Sequence, residues 1–202
     1  MYLMKDIVKE GTASLYEKCA EVKLPLTNED IECINGLHEY LVISGDDAAC
    51  EKYGIRPGVG IAAPQVGYNK RIFSMNCTDF LDENETVYSY TFINPQIIAA
   101  SKEMTYLPGG EGCLSVDRDT TGLVTPRYYA IKVKGMVYDF EKKRPKYVTM
   151  YLEGYPAIVF QHENDHLDGI LYTSKMYKPE EIPDLKPLYT IPDNQEEENT
   201  EE

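Results

Sequence analysis

The stretch that decides the reading is Gln161-His162-Glu163-Asn164-Asp165-His166-Leu167-Asp168-Gly169 (QHENDHLDG). It follows Gly154-Tyr155-Pro156 and closes on a glycine, so a helix is expected from about Pro156 to Leu167. Proline suits a first helical turn and Asp-Gly suits its end. Four residues at 100° each bring His166 back to within about 40° of His162, so both imidazoles can reach one metal ion. Glu163 sits beside the first of them, where its carboxylate can meet a water at that metal. The plainer reading of this HExxH pattern is two surface histidines with a glutamate next to them.

A metal needs at least a third protein ligand. No histidine follows His166, and the next segment, Gly169-Ile170-Leu171-Tyr172, reads as strand-like. A distant thiolate can serve instead, and Glu111-Gly112-Cys113-Leu114-Ser115 is the place to look, since Gly109, Gly110 and Gly112 allow close backbone approach. One Cys, two His and a water make a tetrahedral site with an open position, the catalytic type. Zinc is the default ion on ligand chemistry alone. A third segment, Gly58-Val59-Gly60-Ile61-Ala62-Ala63-Pro64-Gln65, has neither the phosphate-loop ending nor dinucleotide spacing. Taken alone it reads as a structural turn.

Around these segments the pattern is α+β: small mixed or antiparallel sheets packed around one helix near the carboxyl end. Thr27-Asn28-Glu29-Asp30 opens an earlier helix, with Ile31, Ile34, Leu37, His38 and Leu41 along one face. His38 on that stripe reads as a core or boundary residue. A short helix is expected over Asp47–Tyr53, stopped by Gly54. Arg71–Met75 and Thr91–Asn94 read as strands, with Asn94-Pro95 a turn or bulge. Residues 129–138 and 147–152 read as a hairpin, the second arm alternating Val148, Met150, Leu152 with Tyr147, Thr149, Tyr151.

With 202 residues, the chain can bury a sizeable core as one domain over residues 1–192. Residues 193–202 carry six acids and no base, and read as a disordered solubilising tail. The net charge of −14 argues against a nucleic-acid partner. No stretch has the length of a membrane span, and the amino terminus has no apolar signal region, so a cytoplasmic protein is expected. Five scattered cysteines without a CxxC pair argue against a disulfide framework; four read as small hydrophobes.

Together GVGIAAPQ (58–65), EGCLS (111–115) and QHENDHLDG (161–169) resemble the peptide deformylase family, in order and in spacing, over roughly residues 3 to 175. The segment before the first motif and EGCLSVD (111–117) resemble the type common in Gram-positive bacteria. The resemblance implies hydrolysis of the formyl group from the N-formylmethionine of nascent peptides, releasing formate. It assigns metal binding to Cys113, His162 and His166, and general acid/base work to Glu163. It places Gln65 and the Leu114 N–H at the developing oxyanion, with Gly60, next to Val59, beside the substrate backbone. It points to Fe2+ as the ion, with Ni2+, Co2+ or Zn2+ able to take the same ligands. Ile158 and Val159, four and three residues before His162, share its helix face and suit a methionine side chain.

The chain departs from the family pattern twice. Glu10–Leu15 lacks the proline usual in the opening loop. No long basic helix follows Gly169, where Pro179, Pro183, Pro187 and Pro192 would break one, so ribosome docking by that route is not expected. The rival reading is a zinc endopeptidase; Cys113 as third ligand argues against it. A metal-stabilised binding module, the other rival, would need neither Glu163 nor an open coordination position.

Overall fold

The computed structural model describes residues 1–190. The boundary at 192 and the acidic stretch 193–202 lie outside the described residues.

The chain forms strand β1 (Gly60–Ala62), β2 (Ile72–Thr78), β3 (Val87–Ala100), β4 (Met104–Tyr106), β5 (Arg127–Tyr128), β6 (Ala130–Asp139), β7 (Arg144–Glu153) and β8 (Lys186–Pro187). Helices α1 (Asn28–Ile43), α2 (Asp47–Tyr53) and α3 (Gly154–Leu167) accompany them, with short 3-10 turns between. An antiparallel sheet runs in the order β1-β2-β3-β6-β7, and a mixed sheet in the order β5-β4-β8. The α+β expectation holds.

Strand alternation sorts the side chains of the larger sheet onto two faces. Ile72, Ile93, Met136 and Tyr138 pack with Ile34, Leu37, Tyr40 and Leu41 of α1. Phe73, Met75, Phe92, Ile131, Val133 and Leu152 pack with Ala157, Val159 and Phe160 of α3. The rings of Phe73, Phe92 and Phe160 lie 5.1–5.2 Å apart, two of the three pairs edge-on, the geometry aromatic quadrupoles favour. The sheet is therefore sandwiched, and α3 is buried along most of its length.

The local signals landed well. Thr27 caps α1 in a reciprocal box with Asp30, and Gly54 ends α2 in the left-handed region. His38 is half-buried and stacks on Phe140 at 4.0 Å. The hairpin pairs Ala130 with Glu153 through to Asp139 with Arg144. Asn94, at φ 50°, sits where the β3–β6 register shifts, and its side-chain amide takes both backbone groups of Val22 at 2.8 and 2.9 Å. The five cysteines are all free, and only Cys50 of the four not assigned to the metal is less than fully buried. One expectation fails: Gly169–Tyr172 forms no strand, and Tyr172–Ser174 is a 3-10 turn. Leu171 and Tyr172 are apolar there because they are buried, a requirement of packing and not of sheet pairing.

Candidate active site

Helix α3 begins two residues earlier than expected, at Gly154 in the left-handed region (φ 61°), with Pro156 inside its first turn. At its other end the Arg71 guanidinium donates to the Leu167 carbonyl at 3.2 Å and to Asp168 at 2.7 Å, where the helix dipole favours a cation. Gly169 (φ 72°) then passes the Tyr16 backbone so closely that a Cβ would come within 2.7 Å of it. The helix is thereby pinned at its carboxyl end, and His162, Glu163 and His166 are fixed with it.

Cys113 arrives from the loop between β4 and β5. Its Sγ lies 3.3 Å from His166 Nε2, and the ligand atoms of Cys113, His162 and His166 all fall within 4.8 Å of one another. Burial would raise the Cys113 thiol, but His166 and His162 beside it carry it well below its ordinary value. His162 Nδ1 is 2.7 Å from Glu111, which leaves the other ring nitrogen for the cluster. Burial would raise Glu111 as well; Arg127, gripping both its oxygens at 2.7 and 2.8 Å, holds it ionised at about 2. Arg127 also pairs with Asp165, which Lys175 meets at 2.9 Å.

Glu163 is 3% exposed, and burial pushes its carboxyl up to about 7. Its Oε2 and the Nδ1 of His166 are buried without hydrogen-bond partners. Gly60 lies directly against it. The Gln65 Oε1 accepts from the Ala62 N–H at 2.8 Å, which turns the amide nitrogen toward Cys113 Sγ (3.3 Å) and Ser115 Oγ (3.2 Å). The segment 58–65, which alone reads as a structural turn, is thus β1 followed by a 3-10 turn against the thiol.

A cavity of about 840 Å³ opens over this cluster. Val59, Gly60, Gln65, Cys113, Leu114, Ile158, Val159, His162 and Glu163 all line it, while His166 lies behind, 1% exposed. Every expected site residue is therefore at one place. Glu111 stood in the quoted motif without a role, and Arg127 gave no local signal at all; each matters only through what it touches.

One thiolate and two imidazoles suit a borderline or soft divalent ion, and the unpartnered His166 and Glu163 atoms fit a site built around one. Three protein donors would leave a position for water or substrate, which suits a catalytic metal centre and not a structural one.

The family described as polypeptide deformylase matches residues 4–181. A peptide deformylase of Halalkalibacterium halodurans is 46% identical over 191 residues, 92% of this chain and 100% of that one. A probable peptide deformylase from Synechococcus phage S-SSM7 superposes with a TM-score of 0.63 at 33% identity, over 84% of this chain and 97% of that one. A class I type b peptide deformylase from Acinetobacter baumannii with Met-Ala-Ser bound also gives 0.63, at 29% identity over 84% and 96%. The chain belongs to the polypeptide deformylase family, and it is an enzyme that removes the formyl group from N-terminal methionine. These likenesses give no support to the endopeptidase reading. Among the described residues no helix is long and apolar enough to cross a membrane.

Proposed function

We propose that the cavity works on N-formylmethionyl nascent peptides with Cys113, His162 and His166 holding one divalent ion and Glu163 moving the proton. The observation that carries this is the convergence of three ligand atoms within 4.8 Å beside a buried carboxyl raised to about 7. A bound ion of this kind lowers the pKa of a water toward neutrality and polarises the carbonyl it meets. Glu163 accepts the proton of the attacking water as its oxygen bonds to the formyl carbon. The Gln65 amide and the Leu114 N–H donate to the oxygen that gains charge, preorganised by the contacts that hold each of them. Among the described residues the Leu114 N–H has no other acceptor. Glu163 then returns the proton to the departing α-amine as the C–N bond breaks. Formate and a free amino-terminal methionine result.

Gly60 and Val59 run beside the substrate backbone, and Ile158 and Val159 wall the methionine side chain. The Met-Ala-Ser bound to the Acinetobacter baumannii enzyme has the chemical form of such a product, which supports the substrate class. Ligand softness admits Fe2+, Ni2+, Co2+ or Zn2+, and the family resemblance favours Fe2+. The catalytic unit falls within residues 1–192 and works in the cytoplasm, where nascent peptides are made.

Formate release from formyl-Met-Ala, followed with and without a chelator, tests the reading. Release that stops on chelation and returns with iron, with no cleavage of the Met-Ala bond, is expected. Turnover that survives complete metal removal would refute it.

A further inference from the structure

Cys113 to Val116 closes a turn, with the Val116 N–H on the Cys113 carbonyl at 3.1 Å. Such a turn uses only the groups at its ends. The Leu114 N–H is left outside it. The Leu114 carbonyl belongs to the central peptide, on the other side of the Leu114 Cα from that N–H, and the turn bond itself does not engage it. That carbonyl is held: Lys9 Nζ, 105 residues away in sequence, donates to it at 3.0 Å. The same ammonium donates to Asp117 at 2.9 Å, and Asp117 also takes Arg56 at 3.0 Å.

The backbone on either side of Lys9 does related work. The Val8 N–H donates to the Gln65 carbonyl and the Glu10 N–H to the Ser115 carbonyl, each at 2.8 Å. The Glu10 carboxylate accepts from Arg118 at 2.9 Å and from the Thr173 hydroxyl at 2.8 Å. Three consecutive residues thus span the gap between the Gln65 turn and the Leu114 turn and set their separation. Buried Ile7 anchors the segment in the core against α1.

We propose that Lys9 is a positioning residue for deformylation: by holding the Leu114 carbonyl it fixes the place of the whole Cys113–Val116 turn, and with it the Leu114 N–H, which the Cys113–Leu114 peptide carries into the cavity. The proposal rests on the reading of that N–H as an oxyanion donor. Lys9 touches neither substrate nor metal ligand; it acts through the turn. Its side chain is 41% exposed, so its removal leaves no buried void.

The test uses zinc-loaded enzyme with 15N-leucine, comparing wild type, Lys9→Met and Lys9→Arg. Lys9→Met is expected to shift the Leu114 amide resonance and speed its hydrogen exchange. It should lower kcat for formyl-Met-Ala about tenfold or more, because a misplaced oxyanion donor is lost mainly from the transition state. KM should stay within about twofold, since ground-state binding is untouched. Bound zinc and thermal midpoint should match wild type, and Lys9→Arg should recover most of kcat, because a guanidinium can meet both the carbonyl and Asp117. An unmoved Leu114 amide would overturn the proposal at the turn. A moved amide with unchanged kcat would overturn it at the chemistry and remove Leu114 from the oxyanion role as well. A fall in kcat that tracks lost zinc would overturn it in favour of a merely structural effect.

Discussion

Gly60 and Glu163 touch in a way that only glycine permits: a Cβ at position 60 would stand 2.2 Å from Glu163 Oε1 and 2.8 Å from its Cγ. The clash reaches along the side chain, so a rotation of the carboxylate alone does not relieve it. Gly60→Ala should therefore leave a folded enzyme with its carboxyl displaced. Displacing a general acid/base forfeits much of its roughly 10²–10⁴-fold contribution. Kinetics of formate release, with the thermal midpoint and metal content measured on the same sample, provide the check; near-normal kcat would show that the contact is irrelevant to turnover.

Glu163→Gln keeps the shape of the side chain and removes the proposed proton acceptor. The metal should remain at wild-type stoichiometry while turnover falls by about 10²–10⁴-fold or more. Loss of the metal instead would reassign Glu163 to the ligand set.

The pair His162 and Glu111 should govern how firmly the ion is held. A carboxylate on the distal nitrogen orients the ring and raises its basicity, and losing such a partner weakens metal binding by about 10–100-fold. Glu111→Gln is expected to do this, read as the chelator concentration that half-empties the site. It should also destabilise the fold, because Arg127, 3% exposed, then keeps only Asp165 as a counter-charge. Unaltered metal affinity would separate Glu111 from the site.

Ile158 is 1% exposed and lines the cavity one helical turn before His162. Ile158→Trp should fill the space assigned to the methionine side chain and raise KM tenfold or more, about the cost of one lost apolar contact in a pocket. Unchanged kinetics in a folded, metal-loaded variant would place the methionine elsewhere.

Asp30 offers a pH signature away from the metal. Burial would raise its carboxyl, but the Thr27 N–H and hydroxyl, and the Tyr68 hydroxyl, all donate to it and hold it below its ordinary value. A carboxyl lowered in the folded state adds stability above its unfolded pKa of about 3.9, and loses it as pH falls through the folded value. Asp30→Asn should cost about 1 kcal/mol at neutral pH and flatten the acid limb of the stability curve below pH 4. Parallel urea titrations of the two proteins across that range would reveal a retained slope if another group is responsible.

The three helices were legible in the sequence because their information is local. Thr27 with Asp30, Gly54 after α2, and the i, i+4 pair His162 and His166 each act within a turn or two. The hairpin of β6 and β7 was legible for the same reason, through alternation of period two across a short charged turn. The proposed ligand set was approachable by chemistry, since two imidazoles on one helix call for a third donor and the glycine-flanked Cys113 was the obvious place to look.

What only the tertiary structure decided is how distant segments face one another. Gly169–Tyr172 looks like a strand by composition, yet its apolar side chains are spent on burial. Glu111 lies 51 residues from His162, Gln65 lies 48 from Cys113 and Lys9 lies 105 from Leu114, and no periodicity encodes those distances. They follow from a sheet clamped between α1 and α3, which fixes the loops at its edge to within hydrogen-bonding distance. Hydrophobic pattern specifies which face of an element is buried; only the packed whole specifies which polar groups then meet.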